Sequence, residues 1–216
     1  MRRIILPSLL GAGLAANALA EKPHKIWLAD EPGAFAEFQA GYARLDRTDR
    51  DFVALSFDAG MMMPMNDWFA HDLRLQLGYI GHQHRERDRF DNPCTRGTLL
   101  CPVTVGYTLH AVLPGRAASL YAGPRAGGVF AQVYESEHVG HDIWGDPIYD
   151  EYSDSEVIFT WGGDAGVLIH ADKNVSIDLG YSYRHLDGTD FKVRGRGEVW
   201  PSQGLHMIRI GITGRF

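Results

Sequence analysis

The last thirteen residues constrain this chain more than any other stretch. From Gly204 to Phe216 they read Gly-Leu-His-Met-Ile-Arg-Ile-Gly-Ile-Thr-Gly-Arg-Phe. Ile208, Ile210, Ile212, Gly214 and Phe216 share one parity, and Met207, Arg209, Gly211, Thr213 and Arg215 share the other. Successive side chains on a strand point to opposite faces, so the stretch is a strand with one apolar face and one polar, charged face. A helix mixes the two sets on every face.

The same alternation recurs upstream and marks eight segments, at about 35–45, 52–62, 70–84, 102–113, 118–134, 156–170, 175–186 and 204–216. In the second, Val53, Leu55, Phe57, Ala59 and Met61 alternate with Ser56, Asp58 and Gly60; in the seventh, Val175, Ile177, Leu179, Tyr181 and Tyr183 alternate with Ser176, Asp178, Gly180, Ser182 and Arg184. The connections after the second, fourth and sixth segments are short turns. Those after the third, fifth and seventh are long and polar, and the one after the first is short but charged. With both ends on one side, every long connection falls on the other. Short periplasmic turns and longer external loops are the pattern of bacterial barrels.

The amino terminus agrees. Arg2 and Arg3 precede a short apolar run, and Ala18-Leu19-Ala20 supplies a small-x-small cleavage site before Glu21, the layout of a secretory signal. Pro7 and Gly11 interrupt the run, which is too short for a membrane helix. Loss of Arg2 and Arg3 takes the net charge from −6 to −8, a sign that argues against a nucleic-acid partner. A membrane chain without a spanning helix has to be a closed barrel, because every backbone group needs a partner inside the bilayer. A soluble lipocalin-like barrel has the opposite polarity, apolar inside and polar outside. Two features favour the membrane form. Glycines and charges share a parity, as a narrow, polar-filled lumen requires. Aromatics also gather near strand ends, at Tyr42, Trp68, Tyr79, Tyr107, Phe159, Tyr181, Tyr183 and Phe216.

The expected fold is therefore all-β: an eight-stranded antiparallel transmembrane β-barrel in an up-and-down meander, with short periplasmic turns and longer external loops. The expected division is a signal peptide over 1–20, a periplasmic lead-in over 21–34 and the barrel over 35–216.

These segments and the terminal Phe216, with Ile208, Ile210 and Ile212 before it, resemble the small bacterial outer-membrane barrels of the OmpA transmembrane-domain, OmpX and opacity-protein type. The resemblance covers nearly all of 35–216. It implies the outer membrane of a Gram-negative bacterium, surrounding lipid and lipopolysaccharide as neighbours, and an assembly signal at Ile208, Ile210, Ile212 and Phe216 read by the barrel-assembly machinery. It implies function only loosely, as a structural, surface-interaction or adhesion role without a cofactor.

Four features carry what chemistry there is. Glu37, Asp58, Arg74, Arg125, Asp164, Asp178, Arg184 and Arg209 fall on inward parities, so a lumen network of ion pairs is expected; the alternative is a narrow gated ion pore. Cys94 and Cys101 are close in sequence, and an exported chain meets an oxidising compartment, so a disulfide is expected. The loop from 135 to 156 holds Glu135, Glu137, Asp142, Asp146, Asp150, Glu151, Asp154 and Glu156 with no Lys or Arg, an external acidic surface for cations or a host partner, without the spacing of a metal site. Lys192, Arg194 and Arg196 alternate in the last loop, where lipopolysaccharide phosphates are suitable partners.

A lipid A-modifying enzyme is the alternative from another class. Lipid A deacylases built on such barrels carry a His-x-Ser-Asn motif. Here His185-Leu186-Asp187-Gly188 takes a similar place, with Asp187 where the serine should stand. No catalytic residue is assigned on that pattern, and a serine within hydrogen-bond reach of His185 would reopen the question.

Overall fold

The computed structural model describes residues 31–47, 51–87, 93–144, 147–193 and 196–216. The expected signal peptide, most of the lead-in, Asp146 and Arg194 lie outside the described residues. Among the described residues ten strands are formed: β1 (Gly33–Leu45), β2 (Asp51–Asn66), β3 (Phe69–Arg87), β4 (Pro93–Val112), β5 (Ala118–His141), β6 (Pro147–His170), β7 (Val175–Leu186), β8 (Thr189–Val193), β9 (Arg196–Trp200) and β10 (Gln203–Arg215). Eight of them close into a barrel in the order β1-β10-β7-β6-β5-β4-β3-β2, and β8 and β9 form a separate two-stranded sheet. Every barrel pairing is antiparallel, and β10 closes the ring on β1 from Phe35↔Arg215 to Leu45↔Leu205. Among the described residues no helix is long and apolar enough to cross a membrane. The meander expected from the alternation is the one observed.

The two parities keep their assigned sides. Ile208, Ile210 and Ile212 are 69, 57 and 63 % exposed, whereas Met207, Arg209 and Thr213 between and beside them are buried. The outward face carries Phe38, Leu55, Phe57, Leu75, Leu77, Val103, Val105, Leu179 and the aromatics Tyr42, Trp68, Tyr79, Tyr107, Phe159 and Tyr181. Inward glycines make room for long side chains: a Cβ on Gly106 would come within 2.7 Å of Arg125 Cγ, and one on Gly180 within 2.8 Å of Arg209 Nε. The tight turn at Gly115 and Arg116 takes positive φ at both residues, 88° and 56°.

Two prolines interrupt the wall. Pairing between β3 and β4 skips from Leu77↔Val103 to Ile80↔Leu100 around Pro102. Pairing between β4 and β5 skips from Gly106↔Arg125 to Leu109↔Ala122 around Pro124. Proline has no N–H to give the ladder, so each removes one rung.

Three expectations need correction. Most of the described residues of 85–101 and 135–155 are strand rather than loop. β3 and β4 pair out to Arg87↔Pro93, and β5 and β6 pair out to His141↔Pro147. Strand alternation marks a boundary between two media. Beyond the bilayer both faces of a strand can meet water, so the pattern fades while the backbone ladder continues. The connection 187–203 likewise contains the β8–β9 hairpin.

The third correction is the disulfide. Cys94 and Cys101 lie on the same strand, β4, and both thiols are free. Seven residues of strand span about 23 Å and put the two side chains on opposite faces. Bridged cysteines have Cα atoms under about 7 Å apart.

The interior is layered. At the end with the short turns Phe35, Met62, Ala70 and Val112 form a small apolar cluster. A belt of charged and polar groups fills the middle. Toward the external mouth the inward positions turn apolar, with Leu45, Phe52, Ile80, Leu100, Ile158, Leu186 and Leu205 in one buried cluster. Phe191, from β8, is fully buried in that cluster and stacks on Trp200 with ring centroids 5.6 Å apart. The hairpin thus stoppers the mouth.

Candidate functional site

All eight expected lumen charges are inward and buried. They meet in one network. Arg74 contacts Glu37 at 3.3 Å, Asp58 at 3.6 Å and Asp72 through Nε–H to Oδ1 at 2.7 Å. Arg125 pairs with Asp58 at 2.6 Å and also with Asp164. Asp164 is the hub, since Arg184 reaches it at 2.8 Å, Arg209 at 3.3 Å, and the Ser182 hydroxyl donates to it at 2.5 Å. Asp178 accepts from Tyr121 Oη–H at 3.0 Å and from Gln39 at 3.2 Å, with Arg209 Nε 4.0 Å away.

Asp72 and His110 belong to this network and are missing from the expected eight. His110 Nε2 lies 2.6 Å from Asp72 Oδ2, and both residues are fully buried. Their parity was readable: Asp72 is two residues from Arg74, and His110 two from the inward Thr108. With them, every barrel strand contributes a side chain. Five carboxylates face four guanidinium groups and one imidazole. Desolvating each ion costs several kcal/mol, which only contacts of this density offset. Between the belt and the mouth are voids of about 20 and 10 Å³, lined in part by Gln76, Ile80, Pro102 and Met207. Each has room for about one water molecule.

An apolar outer wall around a charged interior, on a closed barrel, suits lipid and nothing else. The chain is a membrane-spanning β-barrel. No protein-family model matches it, and no curated protein matches it in sequence. Solved structures similar to it include a major outer membrane protein from Thermus thermophilus (11 % identity, 85 % of this chain and 99 % of that one, TM-score 0.49). Neisserial surface protein A (14 %, 86 % and 97 %, 0.47) and the outer membrane protein OprG from Pseudomonas aeruginosa (12 %, 88 % and 98 %, 0.46) are others. The assignment to the membrane rests on the polarity of this barrel's two faces.

The external face carries the remaining candidates. β5 and β6 are 24 residues each, whereas β1 and β10 are 13. A tilted strand needs about 9–11 residues to cross the hydrocarbon. The β5–β6 hairpin therefore rises well beyond the membrane as an arm. Glu135, Glu137, Asp142, Asp150, Glu151 and Asp154 all lie on it, and its tip presents Ile143 and Trp144, 86 and 81 % exposed. Arg96 on β4 pairs with Glu135 at 3.1 Å. Cys94 lies 3.8 Å from that same carboxylate; burial pushes the thiol's pKa up, and Glu135 adds to the shift. Among the described residues no group of three His, Cys, Asp or Glu side chains is placed to hold a metal ion.

A serine does stand beside His185. Ser202 Oγ lies 2.8 Å from His185 Nε2, and Trp161 stacks on the imidazole with centroids 5.2 Å apart. Ser202 comes from the far end of the β8–β9 hairpin, so no local motif could have found it. Asp187 approaches the same nitrogen, at 3.9 Å, rather than the one an orienting acid would hold. The Ser202 hydroxyl also lies 3.3 Å from the Leu186 carbonyl, a competing acceptor for its proton. Next to it, His206 bridges Tyr181 at 2.5 Å and Asp46 at 2.7 Å, which fastens β10 to the first external turn.

Proposed function

We propose that this protein is a sealed membrane anchor whose β5–β6 arm makes contacts at the cell surface, a surface-interaction or adhesion role without catalysis. The observation behind this reading is the length of β5 and β6 beyond what the bilayer needs, with an exposed Ile143-Trp144 tip. A packed charged belt and a stoppered mouth fit an anchor better than an ion pore. Lipopolysaccharide and the barrel-assembly machinery are the expected partners in the membrane. The division into a cleaved signal over 1–20 and a lead-in over 21–34 belongs to the same reading, and a mature protein beginning at Glu21 by mass spectrometry tests it.

The test of the arm is replacement of residues 137–150 by a two-residue turn. The shortened protein should still migrate differently with and without heating, as a folded barrel does. Cells carrying it should lose adhesion relative to cells carrying the full chain. Unchanged adhesion would sink the proposal. The second reading, acyl-ester hydrolysis at lipid A, has the Ser202–His185 contact in its favour. Lipid A mass spectra unchanged by Ser202→Ala are the expected result, and a gain of acylated species would reverse it.

A further inference from the structure

We propose that Glu37 and Asp178 share one proton, bound in the lumen as the fifth positive charge of the belt.

Without it the belt does not balance. Glu37, Asp58, Asp72, Asp164 and Asp178 face Arg74, Arg125, Arg184 and Arg209, all of them buried. Three of these acids have close guanidinium partners: Asp72 meets Arg74, Asp58 meets Arg125, and Asp164 meets Arg184 and Arg209. The other two are held less closely. Arg74, already on Asp72, reaches Glu37 Oε2 at 3.3 Å. Arg209 Nε stands 4.0 Å from Asp178, whose Oδ2 takes its hydrogen bonds from the neutral Tyr121 and Gln39. A buried carboxylate with so little compensation is costly.

The fold brings these two acids together. β10 lies between β1 and β7 in the barrel. Glu37 is opposite Thr213 on β10, and Asp178 is opposite Gly211. A Cβ on Gly211 would stand 3.2 Å from Glu37 Oε1. Glycine there lets the Glu37 side chain lean across β10, and the two carboxyl groups come within hydrogen-bond contact. Each keeps one buried oxygen without a donor, Glu37 Oε1 and Asp178 Oδ1. An ionised carboxylate only accepts, so a hydrogen bond between two of them requires a proton on one. Asp58 on β2 adds a further negative charge beside the pair, against the single shared positive charge of Arg74 on β3. Like charges in contact away from water do not both ionise.

An imidazolium at His110 would also balance the sum. It lies against Asp72, however, and would leave two carboxylates touching at Glu37 and Asp178. A proton between them answers both the count and the contact. The belt is then neutral and draws no counter-ion into the lumen.

The test is infrared spectroscopy of the full chain refolded in ester-free detergent at neutral pH, where exposed carboxyl groups are ionised. Expected is a carboxylic-acid band in the wild type that is lost in Glu37→Gln and in Asp178→Asn and kept in Asp58→Asn. In urea unfolding, Glu37→Gln should barely move the midpoint, because its amide N–H stands where the shared proton stood. Asp58→Asn removes a carboxylate held by two guanidinium groups and should lower the midpoint clearly. Heat-modifiable migration confirms that each variant folds, and the wild-type band is read whether or not the variants do. Absence of that band, its survival in both Glu37→Gln and Asp178→Asn, or a midpoint loss in Glu37→Gln as large as in Asp58→Asn overturns the proposal. Absence of the band together with a midpoint that rises in sodium or potassium salts overturns it in favour of a bound metal ion.

Discussion

The lumen's middle and its mouth, enclosed by the same eight strands, are filled in opposite ways. In the middle, Asp164, Arg125, Arg184 and Arg209 pack as ions, each with more than one partner. At the mouth, Leu100, Leu186, Leu205 and Phe191 pack as an ordinary apolar core. The difference shows what each filling tolerates. An ionic layer is cooperative, because removing one charge strands its partners in a place with no water. An apolar layer loses only the contacts of the side chain removed, together with the cavity left behind.

Asp164→Ala should separate the two layers most clearly. It leaves three guanidinium groups without their shared carboxylate, and the expected loss is about 4 kcal/mol, read by urea unfolding in lipid vesicles. Phe191→Ala acts on the other layer. It should cost about 3 kcal/mol, at the low end for a buried phenylalanine because a two-stranded hairpin can settle into the space. If Phe191→Ala proved the costlier, the belt would not be the cooperative layer.

Ile210→Arg tests the wall that separates both layers from lipid. A cation on the lipid side should cost about 2–3 kcal/mol, and an unchanged unfolding midpoint would reverse inside and outside. The smallest effect belongs to the cysteines. Thiol labelling of the denatured, unreduced protein should find two thiols, and Cys94→Ser with Cys101→Ser should shift stability by under about 1 kcal/mol. In the folded protein, Cys94 should alkylate more slowly than a free cysteine near neutral pH and quicken as pH rises. Its raised pKa leaves less thiolate at any given pH. One thiol or none on denaturation would contradict the position of both residues on β4.

The sequence by itself determined the barrel, its inside and its outside. Period-two alternation is imposed wherever a strand separates lipid from a packed lumen, so Val175 to Leu186 could be delimited to the residue from pattern alone. The eight inward charges followed from the same parity. Alternation falls silent where that boundary ends. Nothing in the spacing of Glu135 to Glu156 distinguishes a solvated loop from a solvated hairpin, and the cysteine pair looked bridgeable only while its segment was taken for a loop. Tertiary structure decided the rest: the apolar mouth, the use of Phe191 as its stopper, Asp164 as hub and the meeting of Ser202 with His185. These depend on which strands lie side by side and in what register. Closure of the ring fixes that register through the backbone hydrogen bonds of all eight strands at once, and no local stretch of sequence carries it.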